Sequence, residues 1–164
     1  MKKALFALLL SAVVLLSACS ASADILPTDA DPPIDFAAEA NGPIVEIKEK
    51  FFIAQLNDIY LNANRYLGKT IKLEGIFSYD PEEEEQYRIY AVYRKGPGCC
   101  RDDGQALIEV AWPEGTDTPY PKYEAWVEAV GILEEYKEGF STFIRISLTS
   151  LEEKEERGAE YVAN

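Results

Sequence analysis

The chain has 164 residues, is 48% hydrophobic, and carries 16 basic against 29 acidic residues with no histidine. The missing histidine excludes His-based triads and His-containing metal sites, leaving Asp, Glu, Lys, Tyr and three cysteines as the chemically active groups. The acidic balance argues against nucleic acid as a partner, because counterion release needs Lys and Arg arrayed along phosphates.

Met1-Lys2-Lys3 is a basic start, Ala4 to Leu16 is an apolar run broken only by Ser11, and Leu16-Ser17-Ala18 brings small residues up to Cys19. The run is too short to span a bilayer comfortably and reads as a cleaved signal segment. The pattern resembles a bacterial lipoprotein signal peptide with its lipobox. That resemblance implies cleavage before Cys19, a diacylglyceryl group on the Cys19 sulfur, and palmitate-type chains holding the protein on the extracytoplasmic face of the cell membrane. Two chains give stable anchoring where one holds only marginally. Removing residues 1–18 takes away two lysines and no acid, leaving 14 basic and 29 acidic residues and a net charge of −15.

Residues 19–43 form the next expected unit, a lipidated, disordered tether. From Ser20 on it is rich in Ala, Asp, Pro and Ser and has no sustained apolar period. Residues 44–164 are then one domain with room for one modest core.

Within that domain Ile44 to Ile47 alternates briefly as a strand does. Phe52, Leu56, Ile59, Tyr60 and Ala63 recur at three- and four-residue steps and predict a short helix over Ile53 to Ala63, stopped by Asn64 and Gly68. A first strand follows from Thr70 to Phe77, with Gly75 marking a bulge or bend. The acidic run Glu82 to Glu85 reads as a solvated tip. Tyr87 to Arg94 alternates as a second strand and leads into Gly96-Pro97-Gly98-Cys99-Cys100-Arg101-Asp102-Asp103-Gly104, a turn-prone loop holding two thiols and two carboxylates.

Ala106, Ile108, Val110 and Trp112 share one face of a third strand. After a connector from Glu114 to Tyr123, Trp126 to Tyr136 is a fourth strand bent at Gly131, and Phe140 to Leu148 a fifth, joined at Glu138-Gly139. Glu152 to Asn164 reads as a frayed helix or a tail. The expected fold is therefore mainly β, a small OB-like five-stranded Greek-key barrel with one N-terminal helix. The oligonucleotide role that this barrel commonly hosts does not transfer on fold alone. Tyr87, Tyr90, Tyr93 and Trp112 are read as core and strand filling rather than a stacking platform. Lys69, beside Gly68, is read as a barrel-closing residue.

Three segments together resemble a known family: Asn64-Arg65-Tyr66-Leu67-Gly68-Lys69-Thr70-Ile71-Lys72-Leu73-Glu74-Gly75, then Cys99-Cys100-Arg101-Asp102-Asp103, then Trp126-Val127-Glu128-Ala129-Val130-Gly131. They look like the C-terminal soluble domain of a bacterial membrane-protein family whose members are identified as one subunit of a two-gene permease. The resemblance spans about residues 55 to 150 and implies a Cys-Cys-x-x-Asp motif ending at Asp103, together with a permease partner. Family members carry transmembrane helices ahead of this domain, where this chain has its lipobox, and Asp102 takes a place that is usually small and neutral.

Three readings of the loop stand open. Cys99 and Cys100, with Asp103 and Asp102, bind a thiophilic cation such as zinc, although adjacent cysteines chelate one metal poorly. Alternatively the pair closes a strained vicinal disulfide, because neighbouring Cα atoms lie only about 3.8 Å apart. Or the cysteines are structural, in a domain that serves as an interaction module. Metal binding ranks first. No nucleophile and base pair is visible, so an enzyme is not expected.

Overall fold

The computed structural model of the chain describes residues 44–98 and 101–163, giving Gly98 and Arg101 to Asp103 by their backbone alone. The expected signal peptide (1–18) and tether (19–43) lie outside the described residues. Among the described residues the domain is mainly β, with six strands in one mixed sheet and one α-helix.

The first strand, β1 (Ile44–Ile47), buries Val45 and Ile47, as its alternation requires. After a 3-10 turn at Glu49–Phe51 comes α1 (Phe52–Leu61), whose buried Phe52, Gln55, Leu56 and Ile59 fall on one face at helical spacing. Gln55 is the polar member of that face, and both ends of its amide are satisfied. Its Nε2 donates to the Glu46 carbonyl at 3.2 Å and its Oε1 accepts from the Lys48 amide at 2.8 Å, which ties the helix to β1. The helix gives way to a 3-10 turn at Ala63–Arg65, so it ends two residues before the expected stop.

The other strands are β2 (Thr70–Ser78), β3 (Ala91–Gly98), β4 (Arg101–Ala111), β5 (Trp126–Glu138) and β6 (Ser141–Glu153). Antiparallel pairing joins β2 to β3, β3 to β4 and β5 to β6, while β4 and β6 run parallel through Glu109–Ala111. The sheet then closes on itself, because β2 also pairs with β5 from Thr70 to Ile76. The ring β2–β3–β4–β6–β5–β2 has the five-stranded closure expected of the OB-like barrel. Lys69 takes part in the closure through its backbone: the Leu133 amide donates to the Lys69 carbonyl at 3.0 Å, and the Gly68 amide donates to Leu133 at 2.9 Å.

The closure is uneven. On the edge of β2 opposite β5, residues Thr70–Leu73 pair with β1, in parallel, and only Ile76–Ser78 pair with β3. Gly75 sits at the changeover, where an added Cβ would lie 2.7 Å from the Tyr93 carbonyl oxygen. Gly131 marks the second irregularity, a register shift between Val130 and Gly131, and a Cβ there would run into the Ser147 carbonyl. Both glycines therefore serve the bend read from the sequence.

Several expectations are corrected. The second strand begins at Ala91 rather than Tyr87, and Glu85–Tyr87 is a 3-10 turn. The short β2–β3 ladder offers residues 87–90 no partner on β2. The nine-residue Cys loop is shorter than expected, since the β3–β4 ladder continues through Gly96↔Gly104 to Gly98↔Arg101. A register shift around Pro97, which lacks an amide to donate, absorbs the proline. The segment from Glu152 on is neither frayed helix nor loose tail. β6 runs to Glu153, and the chain then returns to β3, where the Lys95 amide donates to the Glu160 carbonyl at 2.8 Å and the Val162 amide donates to the Lys95 carbonyl at 2.9 Å. β1 against β2 and this tail against β3 together cover the place where β2 and β3 part.

Arg94 fills that place from within. Its buried guanidinium donates to the Glu74 carbonyl of β2 at 2.8 Å, to the Ala159 carbonyl of the tail at 3.0 Å and to Glu49 Oε2 at 2.7 Å. It stacks against the rings of Phe52, 5.2 Å away, and Trp126, 4.8 Å away. The Ala159 amide donates to Glu49 at 2.8 Å, and this bond, followed by the Arg94 contact, holds the Glu49 carboxyl below its ordinary range. Replacing Arg94 by Ala leaves two carbonyls and a carboxylate without their donor, and is expected to cost about 3 kcal/mol in chemical unfolding, with Arg94→Lys recovering less than half. Because the folded Glu49 pKa is depressed, its stabilisation is present above pH 4.5 and lost as pH falls through the folded value. Glu49→Gln is therefore expected to flatten the acid limb of a melting-temperature profile.

Candidate functional site

Of the predicted site residues, only Asp102 and Asp103 fall among the described ones. Cys99 and Cys100 lie outside the described residues, as does Cys19. Asp102 and Asp103 belong to the start of β4, in the part given by backbone alone. The pairing Gly98↔Arg101 brackets the two cysteines in sequence, so the described strands remain paired up to the residues on either side of them. Among the described residues, no three carboxylate, thiol or imidazole groups stand together as a metal cluster.

Next to this hairpin the structure forms a groove that sequence reasoning did not find. α1 lies across the β3–β4 ladder, with Tyr60 Oη donating to the Leu107 carbonyl at 3.1 Å. Between helix and hairpin runs a groove of about 490 Å³ lined by Ile53, Asn57, Tyr60, Pro97, Gln105 and Leu107 among others. On the other side of Tyr60 and Leu107 lies a second groove of about 500 Å³, lined by Tyr60, Ile89, Leu107, Glu109, Glu135 and Phe143 among others. The two share Tyr60 and Leu107 and adjoin there. Strand parity is the signal that could have revealed the second. Ile108 and Val110 point into the core, so Leu107 and Glu109 must point out.

Glu109 is the chemically unusual member of this surface. Tyr136 Oη donates to its Oε2 at 2.6 Å, the only hydrogen bond to that carboxylate among the described residues. Burial raises the Glu109 pKa, and the Tyr136 contact only partly offsets the rise. The Tyr136 hydroxyl is in turn pushed up to about 12, by burial first and by its bond to Glu109 second. Arg145 stacks 4.7 Å from the Tyr136 ring centre but gives its Nε to Glu134 at 2.8 Å. The cation closest at hand thus attracts Glu109 at a distance without pairing with it.

Of the aromatic residues read as core and strand filling, Tyr90 and Trp112 pack against the core, whereas Tyr87 lies in the 3-10 turn before β3 and is 66% exposed. Tyr90 stacks on Tyr120 with ring centres 3.7 Å apart, and Phe77 stacks on both at 5.7 and 5.8 Å. These faces are occupied by one another, which is core filling and not an open platform. Lys69 Nζ sits 5.6 Å from the Tyr66 ring centre, so its side chain lies over its own turn.

A raised folded pKa at Glu109 means that its desolvation cost is fully present above the folded value and disappears as pH falls below 4.5. Glu109→Gln keeps an acceptor for Tyr136 and removes the charge. The substitution is expected to raise the melting temperature at pH 7, with the gain shrinking to nothing near pH 4, readable by calorimetry across pH.

Comparison with curated proteins gives no match. The family described as the DUF1980 C-terminal domain matches residues 35–164, which includes every described residue of the barrel, of α1 and of the returning tail. The chain therefore belongs to the DUF1980 C-terminal domain family.

Proposed function

We propose that this protein is a lipoprotein held through Cys19 on the extracytoplasmic face of the cell membrane, and that its domain is a binding module rather than an enzyme. In this reading Cys99, Cys100 and Asp103, with Asp102, take a thiophilic divalent cation such as zinc in association with a membrane permease. The observation that supports it is the paired ladder up to Gly98↔Arg101. Only Cys99 and Cys100 separate those paired residues in sequence, so the described residues on either side of them belong to strands anchored in the barrel.

Soft thiolates suit zinc, and the carboxylates two and three positions past Cys100 offer the oxygen donors that a mixed sulfur and oxygen shell needs. The hairpin residues around the motif, Gly96, Pro97, Gly104 and Gln105, carry no carboxylate or thiol. Any donor beyond the four comes from a carboxylate distant in the chain, a second copy or a partner. Thiols bind metal only after losing their protons, so affinity rises with pH. The absence of histidine and of any visible nucleophile and base pair supports a binding role over a catalytic one.

Native mass spectrometry of the reduced protein with added zinc tests the metal reading. A zinc adduct is expected on the wild-type chain and not on Cys99→Ser or Cys100→Ser. An unchanged mass after zinc addition refutes the reading, and a loss of two hydrogens on air oxidation points to the vicinal disulfide instead.

The anchor is tested separately by fractionating cells that express Cys19→Ala. Release of that variant from the membrane is expected, and retention contradicts lipidation at Cys19.

A further inference from the structure

We propose that the two grooves adjoining at Tyr60 and Leu107 form one docking surface for an amphipathic segment of a partner protein that presents apolar side chains together with a lysine or arginine. Four large apolar side chains line the second groove while keeping much of their surface in water: Ile89 is 60% exposed, Tyr60 47%, Phe143 44% and Leu107 41%. Scattered exposed apolar residues need no explanation, but several around one groove mark an interaction site. The first groove continues this surface along α1 towards Pro97 and the end of the β3–β4 hairpin. An elongated apolar trough of this kind suits a segment of chain better than a compact ligand.

The charges select the partner. Among the described residues, the ionisable ones lining the second groove are Glu109, Glu135 and Tyr60, and no lysine or arginine lines either groove. Glu109 is half-buried and, among the described residues, accepts one hydrogen bond from a neutral hydroxyl and makes no ion pair, and its raised pKa reflects the cost of that burial. A cationic group arriving over the groove supplies the missing counter-charge, whereas an anionic segment adds repulsion to the same cost. A second copy of this chain is a poor occupant. A two-fold pairing of the same surface sets Glu109 and Glu135 against their own copies. Residues 159–162 of the returning tail are committed to Arg94, Glu49 and β3.

This inference stands apart from the metal reading, since none of its residues belongs to the Cys-Cys-x-x-Asp motif. The test is a titration of the isotope-labelled protein, followed by amide NMR, with a synthetic amphipathic peptide of leucine and lysine at helical spacing. A counterpart with glutamate in place of lysine serves as the comparison. The leucine and lysine peptide is expected to move the amide signals of Tyr60, Leu107, Glu109 and Phe143, and the glutamate peptide to leave them in place. Leu107→Ser and Glu109→Gln, both on the outer face of β4, are each expected to weaken binding about tenfold. Glu83→Gln in the exposed acidic turn is expected to have no effect. The proposal fails if the peptide does not bind, if both peptides bind alike, if the shifts fall on the acidic turn, or if the two β4 variants, folded as judged by their amide spectra, bind as wild type.

Discussion

A single buried guanidinium holds the closure of this barrel together. Where β2 turns from β1 towards β3, the sheet has a gap that backbone pairing between those strands does not fill. Arg94 occupies it and donates to three elements distant in sequence: β2 at Glu74, the turn after β1 at Glu49, and the tail at Ala159. Burying an arginine costs several kcal/mol unless its donors are met and its charge is answered. Here the donors find two carbonyls and a carboxylate, and the flat faces lie against Phe52 and Trp126. The planar, many-donor shape of arginine is what allows one side chain to serve three elements at once, and a lysine has no equivalent.

The order of the surrounding pieces follows from that contact. Glu49 meets Arg94 only if β1 lies parallel to β2, and Ala159 reaches it only if the chain after β6 turns back to β3. The Lys95 amide and carbonyl, next to Arg94, bond to Glu160 and Val162 and continue the same closure through the backbone. The inward side of β3 at residue 94 is therefore fixed by long-range partners, and its outward neighbours at 93 and 95 follow from the pleat. Farther along the hairpin this fixed parity carries through to β4, where Ile108 and Val110 face the core and Leu107 and Glu109 face out.

The sequence made the local parts of this arrangement readable. The helical spacing of Phe52, Leu56 and Ile59, the shared face of Ile108 and Val110, and the bend at Gly131 each arise from residues close along the chain, and each is present. What could not be read depends on partners far apart in sequence. The stretch Tyr87 to Arg94 carries apolar residues on both faces, so its alternation does not show that Val92 and Arg94 point inward. The glycines and proline around the cysteines suggest a loop, but a ladder can tolerate them when a register shift accommodates Pro97. The charged tail offers no apolar period because its attachment is by hydrogen bonds to β3, Arg94 and Glu49 and by the buried Val162. Of the candidate site, the residues of the motif can be picked out from the sequence, whereas the groove lined by α1 and β4 cannot, since it exists only once α1 crosses β4.

Arg94 and Glu109 show two opposite treatments of a charge taken from water. Both sit on the β3–β4 hairpin, one on its inner face and one on its outer face. Arg94 is answered within the chain, and its neighbourhood is correspondingly closed. Glu109 receives one neutral hydroxyl, while Arg145, the cation acting on it, is committed to Glu134. A half-buried carboxylate without an ion pair is a persistent cost in the isolated domain, and such costs are retained where a partner relieves them. The two proposals then meet on one element. A segment seated along Tyr60 and Leu107 would run up to Pro97 and Gly104, which lie on β3 and β4 on either side of the motif in sequence. Recognition of a partner and presentation of the motif would share β3 and β4, and the rigidity that Arg94 gives to β3 would serve both.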